Sequence, residues 1–204
     1  EVGQEDKEIE HYKKAIQINP NYAKAYNNLG AALSRKIRYQ AATEIAVQEL
    51  GLESKRDSEE QDRLVRAARD CFQIAISLDP GYAEAHHNLG VLYRSEKQIH
   101  LAKHHICLAI ELNPEESEYW HSLGCYYLDL AMADKAVRCF ERAIDLNPIF
   151  AKAYNNLGLA HRLLQNREEA DLAFHRSAEL DPNFAEAYCN IGVRLFEQKK
   201  YDDA

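Results

Sequence analysis

The chain has 204 residues, is 46% hydrophobic and carries a formal charge of −8. That is enough apolar material for a sizeable core, while the acidic balance argues against a sequence-independent grip on nucleic-acid phosphates, which needs a basic surface. No apolar run approaches the roughly 18–20 residues of a membrane span, so neither a nucleic-acid partner nor membrane insertion is expected.

In chain order, Glu1–Ile9 is charged and unlike a signal peptide. Glu8–Ile18 reads as a helix, with Ile9, Tyr12, Ala15 and Ile16 at roughly helical spacing. Asn19-Pro20 stops it, because proline lacks the amide donor and restricts the residue before it. Asn21–Arg35 reads as the next helix, with Tyr26, Leu29 and Leu33 on its buried side and Gly30 in its middle. Tyr39–Leu50 has helical character, Gly51–Ser58 is a polar break, and Gln61–Leu78 is a strong helix with Leu64, Ala68, Phe72, Ala75 and Ile76 on one side.

From there the register is regular. Prolines 80, 114, 148 and 182 are 34 residues apart, as are glycines 90, 124, 158 and 192. The stretch Asn147-Pro-Ile-Phe-Ala-Lys-Ala-Tyr-Asn-Asn-Leu-Gly158 has near copies at Asn19–Gly30, Asp79–Gly90 and Asp181–Gly192, and a weaker one at Asn113–Gly124. A fixed period of this length means stacked helical hairpins rather than a private globular core. Gly30 and Gly90 are 60 apart, so 26 residues beyond the period lie between them. The favoured assignment gives Gln61–Leu78 to the first repeat as its second helix and treats 36–60 as an insertion; the competing one starts that second helix at Ala42. The expected organisation is 1–20 as the second helix of an incoming repeat, 21–80 as repeat one with its insertion, then 81–114, 115–148 and 149–182, with 183–204 opening repeat five and Ala204 barely starting its second helix. A recurrent mid-helix glycine costs about 1 kcal/mol against alanine, which implies close approach of a neighbouring helix that a Cβ would block.

Trp120-x-x-Leu123-Gly124-x-x-Tyr127, followed by Ala136-x-x-x-Phe140 and Pro148, resembles the tetratricopeptide repeat signature at every position. The resemblance implies an all-α, right-handed superhelical solenoid of antiparallel helix pairs whose first helices line a concave groove. It also implies that the residue two before each glycine points into that groove: Asn28, Asn88, Ser122, Asn156 and Asn190. This row is similar to the asparagine ladder in the repeat region of O-linked N-acetylglucosamine transferase-like proteins, where carboxamides, each donor and acceptor, grip an extended polypeptide. Asparagine is also common at this place in the repeat consensus. Four residues before the row come Lys24, Glu84, Glu118, Lys152 and Glu186, and four after the glycines come Arg94 and Arg162, with an apolar floor at Ala31, Val91, Leu159 and Val193. Positions at which chaperone-binding relatives carry a lysine and arginine clamp for a C-terminal carboxylate hold Asn27, Ala31, Glu84, His87, Asn88 and Val91, so binding of Hsp70 or Hsp90 tails is disfavoured.

The five cysteines, Cys71, Cys107, Cys125, Cys139 and Cys189, are odd in number and lack a C-x-x-C pair. They read as reduced thiols of a cytoplasmic or nuclear protein. His100 and His104 are four apart on one helix, and His87, His121 and Cys125 sit at related positions, but a third fixed ligand is lacking and no metal is expected. His86 and His161 stand at aromatic packing positions. With no nucleophile–base set and no phosphate loop, neither catalysis nor a cofactor is expected within these residues. The expected function is a scaffold or adaptor that holds an extended peptide segment of a protein partner. The alternatives are the substrate-recruiting region of a larger enzyme such as a glycosyltransferase, and a scaffold that self-associates through uncapped end repeats.

Overall fold

A computed structural model describes the backbone of residues 2–49 and 58–202, and the side chains of 5–43 and 58–197. The described residues form ten helices in two compact units, 1–112 and 113–204. The first unit holds α1 (Val2–Ile18), α2 (Ala23–Glu49), α3 (Ser58–Leu78), α4 (Ala83–Ser95) and α5 (Ile99–Leu112). The second holds α6 (Ser117–Asp129), α7 (Ala133–Leu146), α8 (Ala151–Leu163), α9 (Arg167–Leu180) and α10 (Ala185–Asp202). Within each unit consecutive helices pack on one another, and the first helices of neighbouring hairpins also touch, α2 with α4 and α6 with α8. The fold is an all-α array of helix pairs.

The hairpins are built around the repeated glycine. A Cβ on Gly30, Gly124 or Gly158 would lie 2.6, 2.5 or 2.6 Å from the ring of Phe72, Phe140 or Phe174 on the following helix. These distances are shorter than van der Waals contact, so the missing side chain is the seat of the ring. All three rings are fully buried between small residues, as in Ala136-Phe140-Ala143. At Gly90 an isoleucine replaces the phenylalanine and the backbone closes up as well, with the would-be Cβ 2.8 Å from Ile106 Cγ1, 3.0 Å from Ile106 N and 3.2 Å from the Ala102 carbonyl. Gly192 on α10 meets no such neighbour within 4 Å.

Each connection has its own chemistry. Ahead of α2, α4, α8 and α10, the Asn19, Asp79, Asn147 and Asp181 side chains accept the amide two residues on, at 3.0–3.3 Å. This Asx turn starts the chain around the proline. Inside the later hairpins the first helix ends on a left-handed residue: Lys97, Ala131 and Gln165 have φ of 59°, 53° and 63°. The next amides reach back to close the helix end, Gln98 N to Tyr93 O at 2.9 Å, Met132 N to Tyr127 O at 2.9 Å and Asn166 N to His161 O at 3.0 Å.

The structure departs from the sequence reading at α2. Instead of ending at Arg35, with a separate segment from Tyr39 to Leu50, α2 runs unbroken to Glu49. The residue seven after Gly30, where the other hairpins turn left-handed, is Ile37. A β-branched side chain is strongly disfavoured in that conformation, so the helix continues. The first part of the 36–60 insertion is therefore helix, and residues 50–57 lie outside the described ones. α3, which packs on α2, starts at Ser58, and its Phe72 fills the Gly30 seat. α1 begins at Val2, earlier than Glu8. α10 likewise continues to Asp202, where the start of a second helix was expected; Ala204 lies outside the described residues.

Candidate functional site

The expected groove residues sit on the first helices, α2, α4, α6, α8 and α10. Of the four members of the row that have a repeat ahead of them, the three asparagines obey one rule. The residue two before the glycine donates its carboxamide to the residue three before the glycine of the preceding repeat. Asn88 Nδ2 donates to Asn27 Oδ1 at 2.9 Å, Asn156 Nδ2 to His121 Nε2 at 2.9 Å, and Asn190 Nδ2 to Asn155 Oδ1 at 2.8 Å. Sequence reasoning missed the accepting position. Its signal was present: Asn27, His121 and Asn155 share one register, and all can accept a hydrogen bond.

Asn27 is fully buried and Asn155 nearly so, so each must be hydrogen-bonded where it lies. Asn27 Nδ2 donates to Glu84 Oε1 at 3.0 Å and to the Tyr82 hydroxyl at 3.3 Å. A carboxylate only accepts, so Glu84 fixes which way the Asn27 amide faces, and that in turn fixes Asn88. Burial, and then the neighbouring Glu84 carboxylate, push the Tyr82 hydroxyl up to about 12, so it stays protonated. Glu84, expected as a charge offered to a ligand, is thus partly used inside the protein.

In the second unit the expected residues Lys152, Asn156, Glu186 and Asn190 line one cavity of about 420 Å³. His121, Asn155 and Cys189 join them, with Leu159 and Phe184 as apolar walls. Lys152 and Glu186 are exposed and of opposite charge. Behind them, Asn156 Nδ2 also lies 3.3 Å from Cys125 Sγ, and Glu118 Oε2 lies 4.0 Å from His121 Nδ1. Burial raises the Glu118 carboxyl above its ordinary value, against the lowering effect of Lys152. Arg194 pins α10 to α9 beside this site, its guanidinium donating to both Asp171 oxygens at 2.8 and 3.1 Å and to Glu197 at 3.0 Å. Ser122 is buried, whereas Arg162, on the same unit, is half-buried outside the cavity lining. In the first unit Lys24 is exposed, and Asn28, Asn88 and Arg94 are half-buried.

The histidines divide by role. His86 is buried, and its Nε2 bonds the Pro80 carbonyl at 3.2 Å, as the Trp120 indole bonds the Pro114 carbonyl at 2.8 Å. It replaces the signature tryptophan and keeps its hydrogen bond. Because the carbonyl only accepts, His86 Nδ1 is left to accept from His105 Nδ1–H at 3.1 Å. Among the described residues, no group of three or more His, Cys, Asp or Glu side chains gathers in a way that could hold a metal. No helix among them is long and apolar enough to cross a membrane.

Known proteins agree with this architecture. A TPR repeat model matches residues 3–36, and tetratricopeptide repeat models match 83–116, 117–150 and 151–184. No curated protein matches the sequence significantly. Among solved structures, TTC0263, a thermophilic TPR protein of Thermus thermophilus, is similar at a TM-score of 0.69 and 17% identity, over 96% of this chain and 92% of its own. YrrB, described as a TPR protein with an unusual peptide-binding site, is similar at 0.61 and 21%, over 92% and 83%. The first TPR of Spaghetti (RPAP3), bound to the HSP90 peptide SRMEEVD, is similar at 0.55 and 24%, over 57% and 93%. At these identities the likeness speaks for the fold. With the glycine seats, the 34-residue register and the matching repeat models in agreement, the chain belongs to the tetratricopeptide repeat family.

Proposed function

We propose that the chain is a protein-interaction scaffold, and that the first-helix faces carrying Asn28 and Asn88 in the first unit, and Ser122, Asn156 and Asn190 in the second, each hold an extended peptide segment of a partner. The observation that carries the reading is the second-unit cavity, where carboxamides from successive repeats meet opposite charges and apolar walls. An extended peptide offers the complementary set: backbone amides at regular spacing, and side chains alternating between charged and apolar. Because Asn88 and Asn190 each spend an N–H on the neighbouring repeat, each has its Oδ1 to offer a ligand. The favoured ligand groups there are N–H donors. Lys24, Lys152, Glu84, Glu118, Glu186, Arg94 and Arg162 would set preference along the peptide. In this reading the repeats run 21–80, 81–114, 115–148 and 149–182, with the setting cytoplasmic or nuclear.

The test uses peptides selected from a random library against the wild-type chain, titrated calorimetrically. Lys152→Glu should weaken the selected peptides about tenfold or more, since it turns an attractive charge into a repulsive one. Unchanged affinity for every selected peptide would remove the cavity from the binding face.

Self-association is the second reading, favoured by Leu195 and Phe196 on α10, each 61% exposed. Light scattering over a dilution series separates it from a monomeric binder. Recruitment of substrates to a catalytic domain elsewhere in a longer chain is the same groove activity in a different setting.

A further inference from the structure

The asparagines of the second unit form a hydrogen-bonded series. Glu118 Oε2 lies 4.0 Å from His121 Nδ1, and His121 Nε2 is bonded by Asn156 Nδ2 at 2.9 Å. Asn156 Oδ1 faces Asn155 Nδ2 at 3.4 Å, and Asn155 Oδ1 accepts from Asn190 Nδ2 at 2.8 Å. Every link has its donor on the same side, so the polarity of each amide depends on the one before it. The series starts at an imidazole, the side chain that changes between acceptor and donor near neutral pH. It ends at Asn190, in the cavity proposed to take the peptide.

We propose that His121 is a positioning residue for that cavity: its protonation state sets the direction of the Asn156–Asn155–Asn190 amides and hence the hydrogen-bonding face that Asn190 presents. The proposal rests on the peptide-binding reading for its purpose, but its geometry and test do not. With neutral His121, the proton sits on Nδ1, on the Glu118 side, and Nε2 accepts from Asn156. A second proton on Nε2 turns that atom into a donor facing the Asn156 amide donor. The conflict is relieved when Asn156 rotates about its carboxamide axis and presents Oδ1. Asn155 then faces Asn156 Nδ2 and must rotate as well, and Asn190 follows for the same reason. One proton thereby changes Asn190 from a residue with Oδ1 to offer into one offering Nδ2, so the cavity's preference passes from ligand N–H donors to ligand carbonyls.

The groups around the imidazole are compatible with this. On α6 they are Glu118 and Cys125, on α8 Lys152 and Asn156, and across the cavity on α10 Glu186 and Cys189. Phe140 and Phe150 flank the ring at centroid distances of 5.7 and 4.9 Å. Glu118 and Glu186 favour the imidazolium, while Lys152 and the burial of the ring, its side chain 13% exposed, oppose it. Cys125 Sγ, 3.3 Å from Asn156 Nδ2, can accept from the amide in one orientation and donate its S–H to Oδ1 in the other.

The experiment follows the side-chain amide resonances of Asn155, Asn156 and Asn190, with the His121 ring nitrogens, by NMR from pH 8 to pH 5, with no ligand present. The expected result is one shared midpoint for the three amides and the ring, and its loss from all three amides in His121→Phe. Movement of Asn156 alone, with Asn155 and Asn190 unaffected, would overturn the relay, as would a midpoint that persists in His121→Phe. Should His121→Phe not fold by circular dichroism, Asn155→Leu decides: Asn156 must still titrate with His121 while Asn190 no longer does. Titration of Asn190 in that variant would contradict the relay. Failure here leaves the calorimetric test of peptide binding untouched, and failure there leaves the shared midpoint intact.

Discussion

A single missing Cβ is the smallest unit of this architecture. Phe140 lies on Gly124 so closely that even one added methyl would sit 2.5 Å from a ring carbon. Gly124→Ala should gain some helix propensity and still lose about 1–3 kcal/mol overall, because the buried ring has no free space to enter. Chemical denaturation reads the balance, and an unchanged midpoint would show that the ring yields without cost. Two half-buried histidines act at the same scale. Burial first, then neighbouring His86 and His104, hold His105 down to about 4, and burial with the nearby Arg94 holds His87 at a similar value, against an ordinary 6.5. Both are therefore neutral in the folded chain where the unfolded chain is protonated. Their contribution to stability should be flat above about pH 6.5 and fall as the pH drops from 6.5 towards 4, the unfolded state taking up the protons. His105→Gln keeps a donor for His86 Nδ1 and cannot titrate, so thermal melts across that window should lose part of the slope.

At the scale of the helix, the hairpin turn decides the outcome. Lys97, Ala131 and Gln165 occupy a left-handed conformation that costs a residue with a side chain on the order of 1 kcal/mol. Ala131→Gly should raise the stability of its hairpin by about 0.5–1 kcal/mol, since Ala131 is exposed and the turn already has the form glycine favours. A lower melting temperature would contradict that account of the turn. This position also shows where the sequence was legible and where it was not. The pairing of helices, the glycine seats and the breaks at proline all follow from a 34-residue period, because each depends on residues whose spacing can be counted. The length of α2 depends on one isoleucine standing where a turn would need a left-handed residue, a local effect that the period conceals. The asparagine row was legible as a row. Its engagement with Asn27, His121 and Asn155 was not, because the partners lie 35 or 61 residues away and their pairing needs the lateral offset between neighbouring first helices.

Over the molecule as a whole, the same amide bond serves two purposes. Within each unit it stitches one repeat to the next, and in the proposed reading it also determines which hydrogen-bonding groups are left for a partner. In the proposed reading such a face suits an extended chain, because within each unit its polar groups recur from repeat to repeat as a peptide's backbone groups recur along a strand. On the same reading, the net charge of −8 would favour partners that are not strongly acidic, tuned locally by Lys152 against Glu118 and Glu186. The most direct measurement is the NMR response of labelled protein to a library-selected peptide. The account predicts that the side-chain amides of Asn156 and Asn190 and the backbone around Lys152 and Glu186 move on binding, with Leu172 on α9 unaffected. Shifts centred on Leu172, with the asparagine amides unchanged, would contradict it.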